Sequence, residues 1–122
     1  MDFGVNALSQ GLLVNTKYLG DRDLNCRMVR ASSKAWMEAA KSPDEAAAIL
    51  VEMFPKAGAV ELNLQQWKDT VQLMYTANTR GKAAGWMATA DWDTLLSLQK
   101  TYGNIETKAP GEYYTNEFFD CK

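Results

Sequence analysis

One stretch of this chain, residues 8–14 (LSQGLLV), reads as a β-strand, and no later stretch offers it a partner. A lone strand cannot satisfy its own backbone donors and acceptors. Three readings follow. The stretch is helical after all, which its short length and Gly11 leave open; it pairs with a second chain; or its partners are encoded upstream. An unpaired edge also predicts stickiness in isolation. Everything after it carries a helical period or turn residues, so the expected fold is mainly α, about five helices with one N-terminal strand.

The helices are punctuated by caps and breakers. Asn15 can cap a short turn through Tyr18 and Leu19 that Gly20 ends. Residues 22–41 place Leu24, Met28, Ala31, Ala35 and Ala39 on one stripe, widened by Val29 and Trp36, with Asp21 or Asp23 as cap or first-turn acid. The run Ser42-Pro43-Asp44-Glu45 combines a capping serine, a proline suited to the first helical position and a glutamate three after the cap. It predicts a helix through about Phe54 that buries Ala46, Ile49, Leu50 and Met53 before Pro55 stops it. A connection containing Gly58 follows. Asn63 is expected to cap a helix to about Asn78 with Leu64, Trp67, Val71, Met74 and Tyr75 on its apolar face. After a loop over residues 79–85, Thr89 caps a helix facing Trp92, Leu95, Leu96 and Tyr102 inward, with Gly103 at its end. Residues 113–119 make a last helical turn. No repeat, low-complexity tract or composition shift divides residues 1–122, which read as a single partial domain.

Composition then excludes several functions. The chain has 13 basic and 15 acidic residues, a net charge of −2, which gives no reason to expect a nucleic-acid partner. Histidine is absent, which removes the commonest general base and zinc ligand together. Cys26 and Cys121 form no CxxC pair, and their spacing argues neither for nor against a bond between them. Cys26 falls off the Leu24–Met28 stripe and is expected to be exposed. Met1-Asp2-Phe3-Gly4-Val5-Asn6 has neither a basic nor an apolar leader region, so no secretory signal is expected in the sequence as it stands, and the apolar run at 46–54 is too short to span a bilayer.

Candidate chemistry is sparse. Asp91 with Asp93, and Glu112 with Glu117, are the acid pairs a hydrolytic site could use, but Asp91 falls in a first helical turn, where a carboxylate stabilises the helix dipole. Arg80 and Lys82 lie in a glycine-containing loop without phosphate-binding spacing and read as solvated. Trp36, Trp67, Trp86 and Trp92 read as packing residues, Trp86 least clearly. No catalytic set, cofactor site or metal site is expected, and the chain does not read as an enzyme.

The order of short motifs carries a resemblance. Phe3-Gly4-Val5-Asn6, Gln10-Gly11-Leu12-Leu13-Val14-Asn15 and Lys17-Tyr18-Leu19 resemble the crossover segment of periplasmic solute-binding proteins of ABC importers. The group concerned serves thiamine-pyrimidine precursors, sulfonates, taurine and nitrate. Met28-Val29-Arg30-Ala31, Lys34-Ala35-Trp36, the Ser42-Pro43-Asp44-Glu45-Ala46 start, Gly81-Lys82, Gly85-Trp86-Met87 and Trp92 continue it. Tyr113-Tyr114-Thr115-Asn116-Glu117-Phe118 looks most like the pyrimidine-precursor branch. The resemblance implies the C-terminal helical part of lobe 1 of an α/β two-lobed fold, in which hinge closure traps a small nutrient for a membrane permease. Family members begin with an export signal or lipoprotein leader, an α/β half-lobe and a second lobe, none of which this sequence matches. The expected role is therefore a periplasmic binding-protein fragment unable to bind alone, its partners being the nutrient, the ABC permease and the missing N-terminal part. By position in the family, Phe3 and Asn6 are the candidate ligand contacts, with Gln10 weaker. The alternative is a standalone helical interaction protein, derived from such a binding protein, that dimerises through its N-terminal strand.

Overall fold

A computed structural model of the chain describes Leu8 and residues 11–121. These form four α-helices, α1 (Arg22–Lys41), α2 (Pro43–Met53), α3 (Val60–Gln72) and α4 (Thr89–Gly103), with short 3-10 turns at Thr16–Tyr18, Pro55–Ala57, Pro110–Glu112 and Glu117–Phe119. The expected N-terminal strand is absent among the described residues. Leu8 and residues 11–14 belong to no strand, and Leu12, Leu13 and Val14 are exposed. The physical reason is the missing partner: with no neighbouring strand to pair it, this backbone stays solvated until Asn15 opens the first turn by accepting from the Lys17 amide at 3.1 Å. Strand-mediated dimerisation loses its strand with it.

α1 keeps its expected bounds and turns part of its expected face inward. Asp21 caps it, its Oδ1 accepting from the Leu24 amide at 3.0 Å, while Asp23 in the first turn pairs with Arg27 at 2.8 Å. Leu24, Val29, Trp36 and Ala39 of the expected face are half-buried and are joined inside by Asn25, Cys26, Ser32, Ser33 and Ala40, whereas Met28 is 52% exposed and Ala31 and Ala35 face solvent. Two tethers hold the Asn25–Cys26 side inward. Cys26 is bonded to Cys121, and the Asn25 amide donates to the carbonyls of Tyr18 and Leu19 at 2.9 and 3.2 Å. An alanine stripe offers little apolar area to compete with them.

Ser42 closes α1 and opens α2, its N–H donating to Glu38 and its carbonyl accepting from Ala46. The expected capping box is not made, because the Ser42 side chain bonds no helix amide. α2 buries Ala47 at 2% exposure and half-buries Ala46 and Val51, leaving Ile49, Leu50 and Met53 exposed rather than inside. α3 begins before Asn63. Ala59 enters in extended conformation, and the buried Asn63 amide donates backwards to the carbonyls of Ala57 and Ala59 at 3.0 and 2.9 Å. The helix also ends at Gln72, six residues short of the expected Asn78, where 3-10-type bonds from Leu73 to Thr70 and Met74 to Val71 tighten its last turn. Its expected apolar face, Leu64, Trp67, Val71, Met74 and Tyr75, is half-buried.

α4 starts after Ala88, so Thr89 is its first helical residue and not its cap. Asn104, at φ 50°, supplies the left-handed stop just beyond Gly103. Trp92, Leu95 and Leu96 are half-buried as expected, but Tyr102 is 81% exposed. In place of a longer final turn, residues 117–119 alone wind into a 3-10 turn.

α1 packs on α2 and α3, while α4 packs on the turn at Pro110–Glu112 and has no extended interface with α1, α2 or α3 among the described residues. What joins the two groups is the turn Glu117–Phe119, seated on α1. No described residue belongs to a helix long and apolar enough to cross a membrane.

Candidate functional site

The described residues converge at one place, the junction between α1 and the C-terminal segment. Cys26 projects from the second turn of α1 and is buried, not exposed as its position off the stripe suggested; it forms a disulfide with Cys121 across a Cα–Cα distance of 6.0 Å. One turn to either side of Cys26, Arg22 donates to the Glu117 carbonyl at 3.5 Å and Arg30 to the Cys121 carbonyl at 3.3 Å. Between them Phe118 is buried at 7% exposure, the largest of the five buried hydrophobic side chains.

Two cavities flank this junction. One, of about 270 Å³, has an apolar wall from Val29, Met37, Ala83, Phe118 and Phe119 with Arg30 and Lys34 at its edge. That is small for an enclosed ligand pocket, and the cavity lies open to solvent. The other, about 610 Å³, is a broad polar depression in which Cys26 and Cys121 share the wall with Arg22, Arg27 and Arg30.

The segment leading to the junction is pinned on α4 and the loop before it. Asn116 accepts from the Met87 amide at 3.1 Å and donates to the Met87 carbonyl at 2.7 Å, so one side chain takes both backbone valences of one residue. Tyr113 and Tyr114 lie nearly parallel to Trp92, with ring centroids 5.8 and 5.3 Å away. Their hydroxyls are engaged, Tyr113 accepting from the Lys108 amide and Tyr114 bonding Thr89. Gly85, at φ 89°, holds a left-handed conformation that a side chain would strain, beside the ring of Phe119.

The other candidate residues do structural work. The buried Asp91 carboxylate accepts from Thr76 Oγ1 and Asn78 Nδ2, both at 2.7 Å, which fastens the loop after α3 to the first turn of α4. Asp93, Glu112 and Glu117 are exposed. Trp36 and Trp67 pack with centroids 5.0 Å apart, and Trp67 Nε1 donates to the Ala39 carbonyl at 2.9 Å. The Trp92 indole reaches the Met87 sulfur, and Trp86 carries the Lys82 ammonium over its ring at 4.9 Å. Arg80 is exposed in the same loop. Phe3, Asn6 and Gln10 lie outside the described residues. No group of three or more potential metal ligands occurs among the described residues.

Sequence reasoning missed the Asn116–Met87 clamp and the Asp91 hub. Neither has a periodic signature, since each joins a side chain to backbone or side chains 13 to 29 residues away. The disulfide had a weaker sign, two cysteines and no others. No family model, no curated protein and no solved structure matches the chain.

Proposed function

We propose that the chain serves as the helical scaffold of a solute-binding protein that delivers a small nutrient to an ABC permease. The nutrient class is a thiamine-pyrimidine precursor or a sulfonate- or nitrate-type anion, and the chain supports the cleft without forming it. The observation that carries the reading is the apolar surface left open on α1 and α2. Met28, Ile49, Leu50, Met53 and Phe54 are all exposed, which suits helices laid against a further body of protein. The ordered motifs quoted above supply the family. A disulfide also suits an exported, oxidising location better than a reducing one.

In this reading the isolated chain binds no nutrient, because its described cavities lie open to solvent and enclose no ligand. Calorimetry with an aminopyrimidine alcohol and with taurine tests this. No heat is expected from the chain alone, and micromolar binding overturns the scaffold role. The coding sequence upstream of Met1 gives the positive arm: an in-frame α/β lobe with an export leader supports the proposal, and an immediate stop codon sinks it.

A further inference from the structure

The open depression beside the disulfide and the guanidinium groups around it point to a chemistry that packing alone does not require. We propose that Cys26–Cys121 is a thiol–disulfide exchange site, a latch that an external dithiol opens to release residues 117–121 from α1.

Access comes first. Both cysteines lie in the wall of the depression of about 610 Å³, and Cys121 is the more exposed of the two, so a reductant meets its sulfur first. Charge comes second. Arg22 and Arg30, four residues before and after Cys26, share its face of α1, and Arg27 lines the same depression. Among the described residues, the carboxylates opposing them in the depression are Asp23, already held by Arg27 at 2.8 Å, and Asp120. Three guanidinium groups against two carboxylates among these residues favour a thiolate leaving from Cys26, and a better leaving thiolate speeds exchange.

The step balances as follows. A thiolate of the dithiol attacks Cys121 Sγ, the Cys26–Cys121 bond breaks, and its electron pair leaves on Cys26. The dithiol's second thiol, once deprotonated, attacks its own sulfur in the mixed disulfide and expels the Cys121 thiolate. The dithiol is oxidised by two electrons to its internal disulfide, and its two protons pass to the two cysteines.

Opening stays local because the rest of the segment is held elsewhere. Tyr113, Tyr114 and Asn116 are fixed to Trp92 and Met87 without help from the bond. Past Asn116, besides the disulfide, the described residues meet α1 through the buried Phe118, through Phe119 in the cavity wall with Val29 and Met37, and through two long hydrogen bonds from Arg22 and Arg30. Release at Glu117 therefore uncovers Phe118, Phe119 and the wall of Val29, Met37 and Ala83.

The test treats the folded full chain with dithiothreitol and no denaturant, then combines maleimide labelling with amide hydrogen exchange read by mass spectrometry. Both cysteines should label, and amides 117–121 should exchange at least about tenfold faster while α2 and α3 remain protected. Arg27, which bonds Asp23 and none of the described tail residues, provides the second arm. Arg27→Gln should slow reduction about threefold through the leaving group and leave exchange in the oxidised chain unchanged. Cysteines that label only in urea, labelling with no change at 117–121, equal loss of protection across α2 and α3, or an unaltered rate in Arg27→Gln each overturn the proposal.

Discussion

The two groups of helices are built on different principles. In α1, α2 and α3, helices lie on helices. Ala47 is nearly inaccessible between α2 and its neighbours, and the Trp36–Trp67 pair, tied by one indole hydrogen bond, holds α1 to α3. Around α4 the order comes from polar clamps on irregular backbone, Asp91 on the loop at 76–79 and Asn116 on Met87, with the Trp92–Tyr113–Tyr114 cluster as the apolar part. Packing of the first kind tolerates a shifted helix face, as α1 shows, because apolar contact has no fixed direction. Clamps of the second kind have direction, and each buried polar atom must find its partner. The C-terminal segment joins the two, and the disulfide is its covalent stitch.

Cutting that stitch should produce the largest effect. The bond closes a loop of 95 residues, for which constraint of the unfolded chain corresponds to roughly 4 to 5 kcal/mol. A Cys26→Ala/Cys121→Ala variant should lose about 4 kcal/mol in urea unfolding and should split one transition into two, one per helix group. A single unshifted transition would show that the groups cohere without it.

Next in size are changes that strike one group and spare the other. Ala47→Leu forces extra volume into the α2–α3 contact and should cost about 2 to 3 kcal/mol, while amide protection at Met87 and Asn116 persists. Asn116→Ala removes two hydrogen bonds from part-buried backbone and should cost about 1 to 2 kcal/mol, with protection lost at Met87 and kept in α2 and α3. If either variant loosens both groups equally, the contrast drawn here fails. Native-state hydrogen exchange reads both.

The same contrast marks what was legible in the sequence. The mainly helical character and the bounds of α1, α2 and α4 followed from period and punctuation, the α2 start from Ser42-Pro43 in particular. Which face turned inward followed only in part. In α1, Leu24, Val29, Trp36 and Ala39 are half-buried as the pattern indicates, but Met28, Ala31 and Ala35 face solvent while Asn25, Cys26 and Ser33 are buried, where a covalent bond and the Asn25 amide act. Asn63 was misread because asparagine usually caps, whereas here its amide reaches back from inside the helix to two carbonyls of the connection. The strand at residues 8–14 failed for want of a partner, an objection its own sequence already raised. Of the candidate site, the ligand contacts Phe3 and Asn6 fall outside the described residues, and the junction actually found rests on long-range pairs that no local window contains.

The smallest effect tests the surface of the first group. Glu38 is exposed, and its carboxyl is held below the usual 4.5 by a hydrogen bond from Lys41 and then by the Lys41 charge, with desolvation opposing and Lys34 adding least. A depressed carboxylate contributes stability above its unfolded pKa and loses it as pH falls through the folded value. Any contribution from this pair is therefore present at neutral pH and vanishes in acid below the ordinary glutamate range. Because both side chains are more than half exposed, solvent screens the pair, and Glu38→Gln should leave the urea midpoint at pH 7 unchanged within error. Carboxyl-detected NMR should nevertheless place the Glu38 midpoint below 4.5, with Lys41→Ala or about 1 M salt moving it back up. A measurable loss of stability in Glu38→Gln would mean that this end of α1 depends on directed polar contacts as α4 does, and the division between packed and clamped halves would have to be redrawn there.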